Sequence, residues 1–162
     1  MRSTDKYVFF WNGIYSQWYK SSVTIDGINF NCMEQWMMYN KAILFNDQVM
    51  ADLIMSSDNP GEQKRYGRRV ENFNAKKWDA VGFDIVKKGN FEKFTQDKNL
   101  QKQLLKTGNK TLVEASPYDK IWGIGMMEND PGVEDSSNWN GQNLLGKAIT
   151  EVRELIKNGQ TI

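Results

Sequence analysis

A chain of 162 residues that is 40% hydrophobic and 25% charged can bury one sizeable core, and its net charge of +1 advertises no general affinity for nucleic acid. There is no apolar run for a membrane span, no signal-peptide pattern at the start, and only one cysteine, Cys32, so no internal disulfide; these features predict a cytoplasmic protein. Histidine is absent, which removes Ser-His-Asp and Cys-His catalysis and every His-based zinc or iron site. Acid–base work therefore falls to carboxylates, lysines, tyrosines or the single thiol, and Cys32 beside an apolar helix reads as a small core residue. Glycosidic cleavage is one reaction that carboxylates run unaided.

Tyr7 to Trp11 reads as a short strand, followed by an Asn12-Gly13 turn. Val23 to Ile25, Asp26-Gly27, then Ile28 to Phe30 is a hairpin pattern with a turn compatible with type I′. Ser16 and Trp18 precede it and read as a turn hydroxyl and a core aromatic. The hairpin delivers the chain into Met33 to Asp47, a stretch free of Gly and Pro and long enough for roughly four helical turns. Helical projection puts Met37, Met38 and Phe45 on one side together with Glu34 and Lys41, while Trp36, Tyr39 and Ile43 cover the other. Such a helix is buried, and it carries a carboxylate and an ammonium with it. Either each finds a structural partner, with Lys41 reaching for water, or the two line a cleft.

Asp47 caps a second predicted helix from Gln48 to Met55, and Asn59-Pro60 opens a third. In that third helix Lys64 and Arg68 share a face, with Arg65 and Arg69 in the neighbouring row. Cations near a helix start oppose the macrodipole, so they point either to an anionic ligand such as phosphate or to a solvated basic face. Ala75 to Thr95 reads as a long helix striped by Trp78, Val81, Ile85 and Val86, with a break or kink at Gly89-Asn90. Asn99 to Lys106 is a short helix stopped by Thr107-Gly108, and Thr111 to Ala115 is strand-like. In the turn-rich SPYDKIWGIGM segment, Asp119, Trp122, Gly123 and Gly125 suit ligand approach and stacking, or equally a Gly-rich turn with a core Trp. A polar, acidic loop follows and reads as mobile. The last helix is capped by Asn143 or Gln142 and buries Leu145, Ile149, Val152 and Ile156.

Several blocks in order carry a resemblance: SQWY at Ser16, DGINFNCMEQWMMYNKAILFND, KRYGRRV, Trp78, EKF at Lys93, LLKTGNKTLVEASPYDKIWGIG and GQNLLGKAITEVR. Together they resemble the YbiA-like family, also called the NADAR superfamily, over roughly Phe9 to Leu155. One departure is Asn40, where the family commonly carries Gln. The resemblance implies an α+β, mainly helical single domain over 1–162 with short N-terminal strands and a hairpin. It also implies a metal-independent hydrolase that breaks N-glycosidic bonds to ribose, with no cofactor. Family members cleave ribosylamino-pyrimidine phosphates of the riboflavin pathway; others are linked to NAD or to removing ADP-ribose from guanine in nucleic acid. A non-catalytic module binding ADP-ribose or NAD is the remaining alternative.

Carried over residue by residue, Glu34 matches the family's helix carboxylate, and Asp119, before Trp-Gly, would orient water or assist proton transfer. Lys64 matches the Lys of the basic block, where it holds a phosphate or attacks the ribose carbon. Arg68 would bind phosphate and Trp122 would stack on the base or ribose. Trp18, Lys41, Gly123 and Asn143 complete the implied substrate site. The implied partner is a small ribosyl-phosphate or ADP-ribose compound, or ADP-ribosylated nucleic acid, bound by a monomer away from any membrane.

Overall fold

In the computed structural model, which describes residues 1–162, the elements run β1 (Arg2–Ser3), β2 (Tyr7–Phe10), β3 (Val23–Ile25), β4 (Ile28–Phe30), α1 (Met33–Leu44), α2 (Gln48–Ser56), α3 (Pro60–Gly67), α4 (Ala75–Gln96), α5 (Lys98–Leu105), β5 (Thr111–Glu114), a 3-10 turn (Ser136–Asn138) and α6 (Leu144–Lys157). The fold is α+β and mainly helical, as the family resemblance implies. The chain divides into two compact units, residues 17–96 and residues 1–16 with 97–162.

In the first of these units the hairpin forms at the predicted positions. Val23 pairs with Phe30 and Ile25 with Ile28, and both turn residues, Asp26 (φ 52°) and Gly27 (φ 80°), take the left-handed backbone of a type I′ turn. Val23, Ile25 and Phe30 pack with Met33 and Trp36, against which Tyr39, Met55 and Ile85 close. Helix α1 is the hub, packing on α2, α3 and α4. It ends at Leu44 rather than at the predicted Asp47. Asn46 turns left-handed (φ 57°), its N–H bonds the Ile43 carbonyl at 3.0 Å, and the Asp47 N–H reaches back to Ala42 at 2.9 Å, a Schellman closure. Ile43, predicted on a buried face, is 41% exposed, because the other three helices cover the remaining sides. Asp47 does cap α2 through its Oδ1 and the Met50 N–H (3.0 Å), and Asn59 caps α3 through the Glu62 N–H (3.1 Å).

The predicted break at Gly89-Asn90 does not occur. Helix α4 runs unbroken to Gln96, and Gly89 is where α1 crosses it: a β-carbon there would fall on the Trp36 indole. That indole is pinned, since its N–H donates to the Ile85 carbonyl at 2.7 Å.

In the other unit, β1 pairs antiparallel with β2, and β2 runs parallel to β5 with Phe9 opposite Val113. The two-residue β1 is too short to show a period in the sequence. Phe9, Val113, Ala115, Ile124, Met126 and Val133 form the core here, with Tyr7 and Trp139 against it. Helix α6 packs on β5 through Leu145, Ile149 and Val152, all fully buried, whereas Ile156 is only partly covered. Its Arg153 is 1% exposed and donates to the Thr107 hydroxyl (2.8 Å) and the Lys110 carbonyl (2.5 Å). The acidic loop before α6 is organised by an Asp135 cap on the 3-10 turn and by the Trp139 N–H on the Val133 carbonyl (2.7 Å).

Gly89→Ala tests the α1–α4 crossing. In an isolated helix the change would stabilise by about 1 kcal/mol. Here the new methyl must displace a pinned indole, and such overpacking costs about 1–3 kcal/mol, with roughly another 1 for the bond to Ile85. A net loss of about 2 kcal/mol is expected in urea unfolding; an unchanged or higher midpoint would sink this account.

Candidate functional site

Within residues 17–96, the site is built at the start of α1. Cys32 is its N-cap in extended backbone (φ −165°, ψ 170°), and Glu34 lies in the first turn, where the helix dipole favours negative charge. The Glu34 N–H donates to the Gln17 carbonyl at 2.9 Å, and the residue is 6% exposed. Its charge is felt by two neighbours. Burial pulls the Lys41 pKa down; the Glu34 carboxylate opposes that shift and Arg68 adds to it. Burial pushes the Cys32 thiol up to about 11, and Glu34 pushes the same way, against backbone hydrogen bonds and Lys93. Cys32 is thus a neutral, buried thiol, donating to Gln63 Oε1 at 3.1 Å. Lys41 does not simply reach for water: its ammonium sits 4.5 Å over the Phe73 ring. The shorter Asn40 amide turns back on its own helix, donating to the Trp36 carbonyl at 2.8 Å.

Lys93, which the sequence analysis names only within the EKF block of the resemblance, is a further charged group in this unit. It stands on α4 with no exposed surface, its ammonium 5.3 Å from the rings of Tyr19 and Phe94. Burial pulls its pKa down to about 7, against a smaller, raising influence of Cys32. Asn90, one turn earlier, is also fully buried; its Nδ2 donates to Gln17 Oε1 and the Val86 carbonyl, both at 2.9 Å. Only the face of α4 turned toward α1 could have signalled these two, and a lysine at such a position reads as a surface residue.

The basic block is corrected. Helix α3 closes at Gly67 with Arg68 as its C-cap, so Lys64 and Arg65 occupy the last turn and not the start. There the dipole favours cations, and the argument from a helix N-terminus to phosphate falls away. Lys64 is half-buried and Arg68 exposed, and Arg65 pairs with Glu62 at 3.3 Å. Trp18, read as a core aromatic, is instead 47% exposed, with its ring over Gly61. The depression in this unit, about 290 Å³ and lined by Lys20, Ser21, Ser22, Asn29, Asn31 and Asp58, lies beside the hairpin and not at Glu34.

The remaining candidates belong to the other unit and form one assembly. Asp119 Oδ1 accepts from the N–H groups of Ile121 (2.9 Å) and Trp122 (2.8 Å), fixing the turn that leaves Trp122 half-buried. At Gly123 a β-carbon would lie 2.9 Å from the Asp119 carbonyl oxygen and 3.0 Å from that of Glu114, so only Gly fits. Asn143 precedes α6 in left-handed backbone (φ 55°) and makes no side-chain cap. Its Oδ1 accepts from the Glu114 N–H (2.9 Å), its Nδ2 donates to the Leu112 carbonyl (3.0 Å), and its N–H to that of Gly123 (3.0 Å). The structure thus uses Asn143 to hold β5, where the resemblance implies substrate binding.

Comparison with known proteins adds four findings. The NADAR domain model matches residues 9–157. An N-glycosidase of Acanthamoeba polyphaga mimivirus is 44% identical over 164 residues, covering 93% of this chain and 96% of that one. A riboflavin biosynthesis protein of Vibrio vulnificus is 26% identical over 88% of this chain, the match spanning 35% of that longer protein. The solved structure of the E. coli protein YbiA superposes with a TM-score of 0.79 at 24% identity, over 98% of this chain and 89% of that one.

Asn143→Ala separates frame from binding. It removes two buried hydrogen bonds at about 1 kcal/mol each and puts a methyl side chain in left-handed backbone at about 1 more, so a loss near 3 kcal/mol is expected. Asn143→Gly should recover the backbone part alone. Unchanged thermal stability in both variants would refute the framing role.

Proposed function

The chain belongs to the NADAR domain family, and from that membership we propose that it is a metal-independent N-glycosidase. Its substrate is a base-like amine joined to ribose phosphate, as in the ribosylamino-pyrimidine phosphates of the riboflavin pathway. The observation that carries this reading is the buried carboxylate of Glu34 in the first turn of α1. Breaking the C1′–N bond develops positive charge on the ribose ring, and a carboxylate held away from water stabilises it more strongly than a solvated one. In a chain without histidine, that carboxylate is the group suited to the task. The N-glycosidase and riboflavin names of the relatives support the same reaction class.

Lys41, whose ammonium feels both the Glu34 carboxylate and the Arg68 guanidinium, suits the substrate phosphate together with Arg68. Lys64 shares a face of α3 with Arg68, and we assign it to the same phosphate rather than to nucleophilic attack. Asp119 and Trp122 are carried as the water-orienting and stacking groups, with Gly123 shaping their loop and Trp18 an exposed aromatic for the base. We take residues 1–162 as one functional domain, acting as a cytoplasmic monomer.

Glu34→Gln is expected to abolish turnover while circular dichroism and thermal unfolding stay close to wild type. The assay is mass spectrometry after incubation with a ribosylamino-pyrimidine phosphate, with NAD and ADP-ribose, and with guanine-ADP-ribosylated DNA. Ribose 5-phosphate released from the first and lost in the variant is the expected result. Release of ADP-ribose from the DNA alone would replace this reading with a nucleic-acid hydrolase. Near-wild-type turnover by the variant would refute the role of Glu34. Arg68→Ala is expected to raise KM about tenfold for the phosphorylated substrate and little for its dephosphorylated form, the size of one charge-assisted contact; equal effects on both would remove the phosphate contact.

A further inference from the structure

N-glycoside cleavage needs more than a carboxylate. The departing nitrogen leaves as a poor anion unless a proton reaches it as the bond breaks. Glu34 is the group that stabilises positive charge, and the same carboxylate is badly suited to deliver a proton at the same moment. The donor has to be a second ionisable group near Glu34, and the sequence offers no histidine for it.

Within residues 17–96 the surroundings of Glu34 hold such a group. Gln17 ties the start of α1 to the Lys93 face of α4: its carbonyl accepts from the Glu34 N–H at 2.9 Å and its Oε1 accepts from Asn90 Nδ2 at 2.9 Å. Asn90 lies three residues before Lys93, hence on the same helix face, and its Oδ1 is a buried acceptor with no hydrogen-bond donor. Burying an acceptor without a partner costs stability and marks a place where a ligand hydroxyl or N–H finds its bond. Tyr19, whose ring lies over the Lys93 ammonium, is itself 37% exposed, so the amine lies beneath a surface aromatic.

On this geometry, and resting on the glycosidase reading above, we propose that Lys93 is a catalytic residue of the Glu34 centre, delivering the proton to the departing nitrogen. As the C1′–N bond breaks, its electron pair goes to the nitrogen, which takes a proton from the Lys93 ammonium and leaves as the neutral amine. Glu34 faces the positive ribose ring. Water adds to C1′, and the proton it gives up passes to the Lys93 amine and restores the ammonium. The sum is N-riboside plus water giving amine plus ribose phosphate. A lysine brought to about 7 by burial exchanges protons readily near neutrality, whereas one at the usual 10.5 holds its proton too tightly.

The test varies the leaving group. Lys93→Met, Glu34→Gln and wild type are assayed on a ribosylamino-pyrimidine phosphate and on 4-nitrophenyl riboside 5-phosphate, whose nitrophenolate departs without a proton. Lys93→Met is expected to lose about 100-fold or more on the amine substrate and less than about threefold on the nitrophenyl one. Glu34→Gln is expected to lose both. Wild-type kcat/KM on the amine substrate should fall as pH rises through about 7, where Lys93 loses its proton, with no such fall on the nitrophenyl substrate. Equal losses on both substrates in Lys93→Met would overturn the proton-donor role and leave the glycosidase standing. A wild type that cleaves neither substrate would overturn both readings. Should Lys93→Met fail to fold, the wild-type pH profile decides: identical profiles on the two substrates refute the proposal.

Discussion

Three side-chain amides converge on one carbonyl, that of Ser57, and the arrangement of residues 17–96 depends on it. Asn31 Nδ2 reaches it at 3.0 Å from the exit of the hairpin, Gln35 Nε2 at 3.2 Å from α1, and Gln63 Nε2 at 2.8 Å from α3. Gln35 and Gln63 are 2% and 0% exposed, so neither amide can exchange its bond for water. The Gln35 oxygen takes the Asn31 N–H at 2.8 Å and the Gln63 oxygen takes the Cys32 thiol, which closes the network. In a low-dielectric interior a fully satisfied network of this kind specifies one arrangement, because any displaced member leaves a buried polar group unpaired. The start of α1 is thereby fixed against its neighbours before any apolar contact is counted.

Fixing that end of α1 is what puts charge in the interior. Had α1 and α4 only to fill a core, leucines at Glu34 and Lys93 would do it at lower cost, since each buried ion carries an effective penalty of several kcal/mol. The apolar hub of Trp36, Met37 and Met38 offsets that penalty, and Gly89 lets the helices close tightly enough for it to do so. Burial lowers the pKa of Lys41 and of Lys93, the same cost acting from the lysines' side.

Local chemistry was the part of the fold legible in the sequence. Asp26-Gly27, Asp47, Asn59-Pro60 and Thr107-Gly108 each act through their own backbone or the next turn, and the structure puts each where the sequence predicts. Long-range effects were not legible. Gly89-Asn90 resembles a helix break until Trp36, fifty-three residues earlier, is seen against it. The cations of KRYGRRV lie near the N-terminus or at the C-terminus of α3 depending on where the helix stops, and that is settled at Gly67. Glu34 was legible because an amphipathic pattern was broken by a carboxylate. Lys93 was legible only as part of the EKF block of the resemblance and not as a buried group, because its helix is polar enough overall for a lysine to look like surface.

Residues that serve as ligands and residues that serve as frame share one alphabet, and the distinction lies in where their polar atoms go. An Asp after Ser-Pro-Tyr and an Asn before a helix read equally as ligand groups or as turn formers. The structure shows Asp119 Oδ1 holding two amides and both ends of the Asn143 amide holding β5, so these atoms keep a loop in one shape. That is work a neutral group does as well as a charged one, and Asn143 is neutral. The start of α1 shows the reverse division. There the neutral amides of Gln35, Gln63 and Asn31 carry the frame, and the charge in that first turn belongs to Glu34. Amides thus hold the start of α1, and the Glu34 carboxylate and the Lys93 amine are buried beside that frame. On the glycosidase reading proposed above, those two groups answer a reaction in which positive charge appears on a sugar and a proton has to move.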